Sequence, residues 1–229
     1  MGAKKQKEAM IKKVKQVLIV GVCVLFVVLM VVSGMGSSWL TMFTVIKPGD
    51  TVVVDYTMND INGNPILTSS QQTYEKATAK GMDIIFSKPL SIVTGQNITK
   101  SIYPVSIYTT SGGWTKGYAL FSIEYNAINQ QLAGMKTGDQ KRIAVPNASM
   151  SQEWSAEQLL SNGVDIRDMK VGDVLAMGVS DNPEEMATNI TAITYTRVGQ
   201  LTNKTNESVV VDFGYPTVDI SIVSINADR

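Results

Sequence analysis

An unbroken apolar run near the start of the chain most constrains its structure. The twenty residues 17–36, VLIVGVCVLFVVLMVVSGMG, carry no charge, and Ser33 is their only polar side chain. Twenty helical residues at about 1.5 Å each span about 30 Å, the hydrocarbon thickness of a bilayer. A helix of a water-soluble core would show a polar stripe, which this run lacks. The run therefore predicts a transmembrane helix over residues 17–36.

The flanks of this run predict its orientation. Residues 1–16 contain six lysines and one acidic residue, and Trp39 follows the run where interfacial aromatic residues are favoured. Because basic flanks stay in the cytoplasm, we expect a cytoplasmic tail at 1–16 and a single-pass cell-membrane protein with an extracytoplasmic body. The alternative is a cleaved signal peptide, whose apolar core is normally about 7–15 residues long. The length of the run and the Met1 start favour the uncleaved anchor.

Charge and residue usage exclude several classes of function. The 213 residues after the basic tail hold 14 basic and 19 acidic side chains, a net charge of −5. A body with this negative net charge is a poor electrostatic match for nucleic acid, because binding nucleic acid needs a basic protein face. The chain has no histidine and one cysteine, Cys23, so histidine-based zinc sites, Ser-His nucleophiles and disulfides are excluded. We therefore expect no metal, no cofactor and no nucleic-acid partner.

The body is predicted to be α+β. Alternating apolar and polar residues predict strands, and short periodic segments with helix stop signals predict helices. The strands are expected at 51–57, 140–145, 208–213 and 218–222, and the helices at 73–80, 126–133 and 155–161. A Lys-x-Gly-Asp turn recurs at 46–50, 135–139 and 169–173, each time before a strand. It lacks the spacing of a phosphate-binding loop, so it predicts tight turns whose glycine takes a positive φ.

The order of these pieces resembles the FKBP family of peptidyl-prolyl isomerases. The resemblance rests on IKPGDTVVVDYTMNDINGNPILTSS (46–70), AINQQLAGMKTGDQKRIAVP (127–146) and SVVVDFGYPTVDISIVSI (208–225), with PLSIVTGQN (89–97) as a weaker tract. It implies an antiparallel FKBP-like sheet with a short helix, formed by residues 45–150 and 208–226. It also implies that residues 151–207 form the small β-rich insert-in-flap domain of the SlyD-type and archaeal-type members.

The resemblance identifies a proline pocket that departs from the family pattern. Tyr56 matches the tyrosine of the family's first strand, but Ile66 and Leu67 replace its Phe-Asp pair, and Ile220 replaces an aromatic residue. These four are the candidate pocket residues, and no residue is assigned as catalytic. The loss of the family's pocket residues at these positions implies weak or absent isomerase activity. Alternatively, the four side chains fill a β core.

An extra stretch, 98–125, interrupts the family pattern and is rich in aromatic residues. Ser111-Gly112-Gly113 predicts a hairpin between 101–110 and 115–124. Aromatic side chains are enriched at binding hot spots, so we expect partner-binding residues here. The candidates are Tyr103, Tyr108, Trp114, Tyr118 and Phe121. Alternatively, the hairpin only covers the sheet.

Five Asn-x-Ser/Thr sequons suggest a glycoprotein, although a threonine-rich β surface would also produce them. They lie at Asn97, Asn147, Asn189, Asn203 and Asn206.

Two functions remain open at this point. The first is a membrane-anchored prolyl isomerase and chaperone that acts on unfolded or proline-containing polypeptides outside the cytoplasm. The second is a non-catalytic FKBP-like scaffold, an accessory subunit of a membrane or cell-surface complex. Family resemblance favours the first, and the eroded pocket favours the second.

Overall fold

The N-terminal segment differs from expectation. The computed structural model describes residues 18–31, 33, 44–180 and 194–226, and the chain divides into two compact units, Met1–Thr44 and Val45–Arg229. Residues 18–31 and 33 are helical. None of the described helices is long and apolar enough to cross a membrane. The predicted transmembrane helix over 17–36 and the single-pass membrane localisation are therefore wrong. The basic tail and Trp39 lie outside the described residues.

The described part of the second unit is built mostly from strands. They are β1 (Thr51–Asn59), β2 (Pro65–Thr68), β3 (Ile85–Phe86), β4 (Leu90–Val93), β5 (Ile102–Tyr108), β6 (Trp114–Phe121), β7 (Gln140–Ala144), β8 (Ser151–Ser155), β9 (Val174–Val179), β10 (Tyr195–Lys204), β11 (Ser208–Asp212) and β12 (Thr217–Ile225). The α-helices are α1 (Gln71–Thr78), α2 (Ser122–Leu132) and α3 (Ala156–Ser161), and Ile166–Asp168 forms a 3₁₀ turn. The four predicted strands and three predicted helices are all present, with shifted ends.

The strands form two mixed sheets. The first has the order β3-β2-β1-β12-β7, with β4 paired to β1, and the second has the order β5-β6-β10-β11-β8, with β9 paired to β10. The expectation of an antiparallel sheet is wrong in two places: β2 and β3 run parallel, and so do β6 and β10. The first pair is parallel because α1 lies between its strands and returns the chain to the same end of the sheet.

The division into sheets does not follow the expected domain boundaries. The segment 151–207, expected to be a separate insert, supplies β8, β9 and β10 to the second sheet. That sheet also contains the β5–β6 hairpin and β11, which were assigned to the FKBP-like domain. The chain returns to the first sheet at β7, leaves it again at β8 and returns for the last time at β12. The extra stretch and the insert together form one layer.

The main core lies between the first sheet, α2 and the buried side chains of β5, β6 and β10 in the second sheet. Side chains of β1 alternate, so that Val52, Val54 and Tyr56 face inward and are buried. They share one cluster with Ile128 and Leu132 of α2. A smaller cluster packs α3 and the segment of the 3₁₀ turn against the second sheet, with Leu159, Ile166, Met169, Leu201, Val209, Val211 and Phe213. Helix α2 thus fixes the inner face of the first sheet.

The recurring Lys-x-Gly-Asp turns have the predicted geometry. Gly49, Gly138 and Gly172 have φ of 90°, 87° and 98°. In each turn the aspartate carboxylate accepts a hydrogen bond from the lysine backbone N–H, at 2.8, 2.9 and 2.6 Å. Each glycine N–H also donates to a carbonyl of another segment at 2.8 Å. The aspartate hydrogen bond therefore closes each turn, and the glycine hydrogen bond attaches the turn to a neighbouring strand or loop.

Alanine in place of Gly138 is expected to destabilise the body by about 1 kcal/mol. A side chain at positive φ costs about 1–2 kcal/mol, partly offset by the lower entropy of the unfolded chain. Urea denaturation measures the change. Gly113→Ala is the control, because Gly113 lies in open space without a positive φ, and its stability should change little. Equal midpoints for the two variants would contradict the role given to the turn.

Candidate functional site

The four candidate pocket residues lie together but are not open to solvent. Tyr56 on β1 pairs with Ile220 on β12, and Leu67 on β2 follows Ile66. Tyr56 is 1% exposed, Leu67 0% and Ile220 3%, and Ile66 is also buried. All four belong to the cluster that packs against α2. Their arrangement corresponds to the alternative interpretation, in which they fill a β core.

The Tyr56 hydroxyl is a polar group buried inside this apolar core. Burial raises the pKa of Tyr56, and the nearby Ser87 hydroxyl offsets part of that rise. Neither hydroxyl makes a hydrogen bond of normal geometry with another group among the described residues. A buried polar group without a hydrogen bond costs about 1–3 kcal/mol, so the two hydroxyls lower the free energy of unfolding of the core.

The expected hairpin forms and separates the aromatic candidates into buried and exposed groups. Strands β5 and β6 pair antiparallel across the turn at Ser111-Gly112-Gly113. Tyr118 is completely buried, and Tyr103 and Phe121 are half-buried. Tyr108 and Trp114, at the tip of the hairpin, are 52% and 43% exposed. Of the five candidates, these two therefore have the most surface to offer to a partner.

Tyr108 and Trp114 are part of an aromatic groove between the hairpin tip, β3 and α1. The groove holds about 620 Å³ and has no charged lining side chain. It is lined by Gln71, Tyr74, Ile84, Ile85, Phe86, Ile107, Tyr108, Thr109, Thr110 and Trp114. We call this set the aromatic groove. Its volume lies in the range of ligand-binding clefts.

Four rings form a continuous series along the aromatic groove. The ring centroids of Tyr74 and Phe86 are 5.0 Å apart, those of Phe86 and Trp114 are 5.7 Å apart, and those of Tyr108 and Trp114 are 5.4 Å apart. Such spacings are favourable for aromatic pairs, so the rings hold one another in place. The exposed rings are therefore already ordered before a ligand arrives, which lowers the entropy cost of binding.

The backbone around the aromatic groove is also fixed. Lys88 N–H donates to the Ser106 carbonyl at 2.9 Å, and Ser87 forms an isolated bridge with Ile107. These contacts join the edge of the first sheet to β5. Sequence analysis did not find Tyr74 and Phe86, which reach the groove from segments distant from the hairpin.

A buried ion pair supports the base of the hairpin. Arg197 on β10 is 0% exposed, and its guanidinium binds both carboxylate oxygens of Glu124 on α2. It also donates to the carbonyls of Ala119 and Phe213. Its centre lies 3.8 Å from the Tyr215 ring centroid and 4.4 Å from that of Phe121. We call these residues the Arg197 cluster.

Two tyrosines complete the polar interior beside this cluster. Tyr215 donates to the Val198 carbonyl at 2.7 Å, Val198 N–H lies 3.4 Å from the Tyr118 hydroxyl, and the two tyrosine hydroxyls bond to each other. Burial raises the pKa of both tyrosines, so both stay protonated at neutral pH. Tyr118, a candidate partner residue, is therefore an internal hydrogen-bonding group.

Two other clefts offer weaker sites. A polar cleft of about 380 Å³ is lined by Asp55 and Ser70 together with two of the candidate pocket residues, Tyr56 and Ile220. Its Arg142 and Asp219 side chains already bind each other. A cleft of about 390 Å³ in the second sheet contains Met150 and Met177. The described residues contain no group of three or more His, Cys, Asp or Glu side chains placed to hold a metal ion.

The sequons within the described residues are all at the surface. Asn97, Asn147, Asn203 and Asn206 are exposed, whereas Asn189 lies outside the described residues. Asn147 also has a positive φ of 50°. These four side chains are therefore accessible to glycosylation.

Comparisons with known proteins give no family assignment. No protein-family model matches the chain, and no curated protein matches it.

Proposed function

We propose that this protein is an FKBP-like polypeptide-binding protein that holds extended segments of other chains in its aromatic groove and has little or no isomerase activity. The observation that carries the proposal is the contrast between two aromatic sites. The candidate proline pocket is filled by its own side chains, whereas Tyr108 and Trp114 are exposed beside a cleft of about 620 Å³.

The arrangement of the resembling tracts supports the FKBP-like part of the proposal. The tracts 46–70 and 127–146 supply β1, β2 and β7, and β12 comes from the tract 208–225. These strands are neighbours in the first sheet, and α2 packs on it. The tract 89–97 adds β4 beside β1. Strand β11 is the exception, because it pairs in the second sheet.

The chemistry of the aromatic groove supports binding rather than catalysis. Its lining has no acid, base or nucleophile paired for proton transfer, and its rings offer apolar contact area. Tryptophan and tyrosine supply such area at low entropy cost and dominate binding hot spots. An accessory subunit of a protein complex and a chaperone that holds unfolded chains both use a surface of this kind.

Trp114→Ala is expected to weaken binding of a permanently unfolded polypeptide, such as a reduced and carboxymethylated protein, by roughly thirtyfold. Truncation of a central tryptophan costs about 2 kcal/mol or more, which corresponds to that factor in Kd. Fluorescence anisotropy of a labelled polypeptide measures it. Leu160→Ala is the control, because Leu160 is equally apolar and 64% exposed but lies on α3. Equal loss in both variants, or no loss in either, would overturn the proposal.

The competing function is residual prolyl isomerisation, and one observation favours it. The Tyr56 hydroxyl is buried, with no hydrogen bond of normal geometry to any described residue, at the position that matches the family's pocket tyrosine. A protease-coupled proline-peptide assay on the full chain tests it. We expect kcat/KM at least about tenfold below that of an ordinary FKBP, a difference of about 1.4 kcal/mol or more in the barrier. Activity within that factor, lost in Tyr56→Phe, would restore the isomerase function.

A further inference from the structure

The aromatic groove has a cationic end. Lys88 Nζ lies 5.1 Å from the ring centroid of Trp114, and the Lys88 backbone is hydrogen-bonded to β5 at Ser106. The backbone bond places Lys88 beside Trp114, the tryptophan of the groove. A cation over an indole face is attracted by the ring, so the ammonium group is held there.

A second lysine lies at the same end. Lys116 on β6 pairs with Ser106 on β5, and Lys88 N–H donates to the carbonyl of that same Ser106. Because side chains alternate along a strand, Lys116 lies on the same face of β6 as Trp114, two residues earlier. Lys88, Ser106 and Lys116 thus occupy neighbouring positions on three adjacent segments.

Neither lysine is neutralised by the part of the chain that the structure describes. The ion pairs there are Arg142–Asp219, Arg167–Asp165 and Arg197–Glu124. The body as a whole carries more acid than base, so two unpaired cations beside an uncharged aromatic cleft differ from the general surface. Their charge is available to a ligand.

We infer that the aromatic groove selects extended peptides in which apolar side chains are followed by acidic residues. The apolar side chains pack against the four rings, and the carboxylates pair with Lys88 and Lys116. This specificity rests on the proposed polypeptide-binding function. Charge complementarity carries it, because a basic peptide would place like charges together.

The test compares three blocked peptides on the full chain. Each has a Leu-Phe pair followed by two variable residues, which are Asp-Asp, Asn-Asn or Lys-Lys. Exposed ion pairs are weak, so we expect the acidic peptide to bind about fivefold more tightly than the amide peptide. The preference should shrink between about 0.05 M and about 0.5 M salt, because exposed charges are screened. Calorimetry measures the affinities.

Matched variants connect the preference to the two lysines. Lys88→Gln with Lys116→Gln should bind the acidic and amide peptides equally. Lys136→Gln with Lys170→Gln removes the same charge from two exposed turns and should keep the preference. Exposed lysines tolerate glutamine, and circular dichroism verifies folding.

The outcomes separate the specificity from the proposed function. If the Asp-Asp and Asn-Asn peptides bind the native chain equally, or if both double variants lose the preference alike, the inferred specificity is wrong. In that case the proposed function stands as long as Trp114→Ala still weakens binding roughly thirtyfold. If no peptide binds the native chain, or Trp114→Ala binds all of them unchanged, the proposed function and the specificity both fall.

Discussion

Replacing Arg197 by methionine is expected to lower the free energy of unfolding by about 3–5 kcal/mol, a large part of the stability of a single domain. The change leaves the Glu124 carboxylate buried without its cation, and two backbone carbonyls lose their donors. Breaking one side of a buried ion pair costs more than the pair contributes, because the remaining charge has no water to solvate it. Urea denaturation followed by circular dichroism measures the loss.

A double variant separates unpaired charge from lost packing. Arg197→Met combined with Glu124→Leu removes both charges, so it should be more stable than Arg197→Met alone. The matched surface control is Arg142→Met. Arg142 binds Asp219 through two hydrogen bonds of 2.6 and 2.7 Å, but its side chain is 66% exposed, so little change is expected. Native-like stability of Arg197→Met would contradict the role of the Arg197 cluster.

The Arg197 cluster also bears on binding. Glu124 lies in the first turn of α2, where its carboxylate accepts from Phe121 N–H at the end of β6. Trp114 lies at the other end of the same strand. The buried ion pair thus fixes the base of the hairpin whose tip lines the aromatic groove. A variant that loosens this base would lose binding together with stability, unlike Trp114→Ala.

Local sequence signals predicted much of the fold. Alternation located β1, β7, β11 and β12, and the Ser155 capping box located α3, because these features depend on neighbouring residues. The hairpin followed from its Ser-Gly-Gly turn. The transmembrane prediction is wrong because apolar composition alone does not set the length of a helix, and none of the described helices is long and apolar enough to cross a membrane.

The same local signals could not predict which strands pair when they are distant in sequence. Thr196 pairs with Tyr118, and β11 pairs with β8. The extra stretch 98–125, the segment 151–207 and β11 therefore share one sheet although they are distant in sequence. The aromatic groove was predicted only in part, because its residues come from segments that are distant in sequence. Tyr108 and Trp114 were found because they lie in one aromatic tract, whereas Phe86 reaches them only through the fold. Arg197 was missed because an arginine in a strand normally predicts surface.

Alanine in place of Gly214 is expected to cost about 3 kcal/mol or more, because a Cβ at this position would lie 1.6 Å from the Ala148 carbonyl oxygen. The obstacle is backbone, which cannot rotate away as a side chain can. Asp212 ties the two segments together there: its carboxylate accepts from Met150 N–H and Gly214 N–H, at 2.8 Å each.

This contact lies where the chain crosses between the sheets in both directions. The segment before β8 leaves the first sheet, and the segment after β11 returns to it, so separating them would disturb both layers. Gly178→Ala is the control, because its Cβ would meet only Thr194 Cβ at an ordinary 3.8 Å. Urea midpoints and soluble yield should fall for Gly214→Ala and stay near native for Gly178→Ala. A native midpoint for Gly214→Ala would mean that the two crossing segments can separate freely.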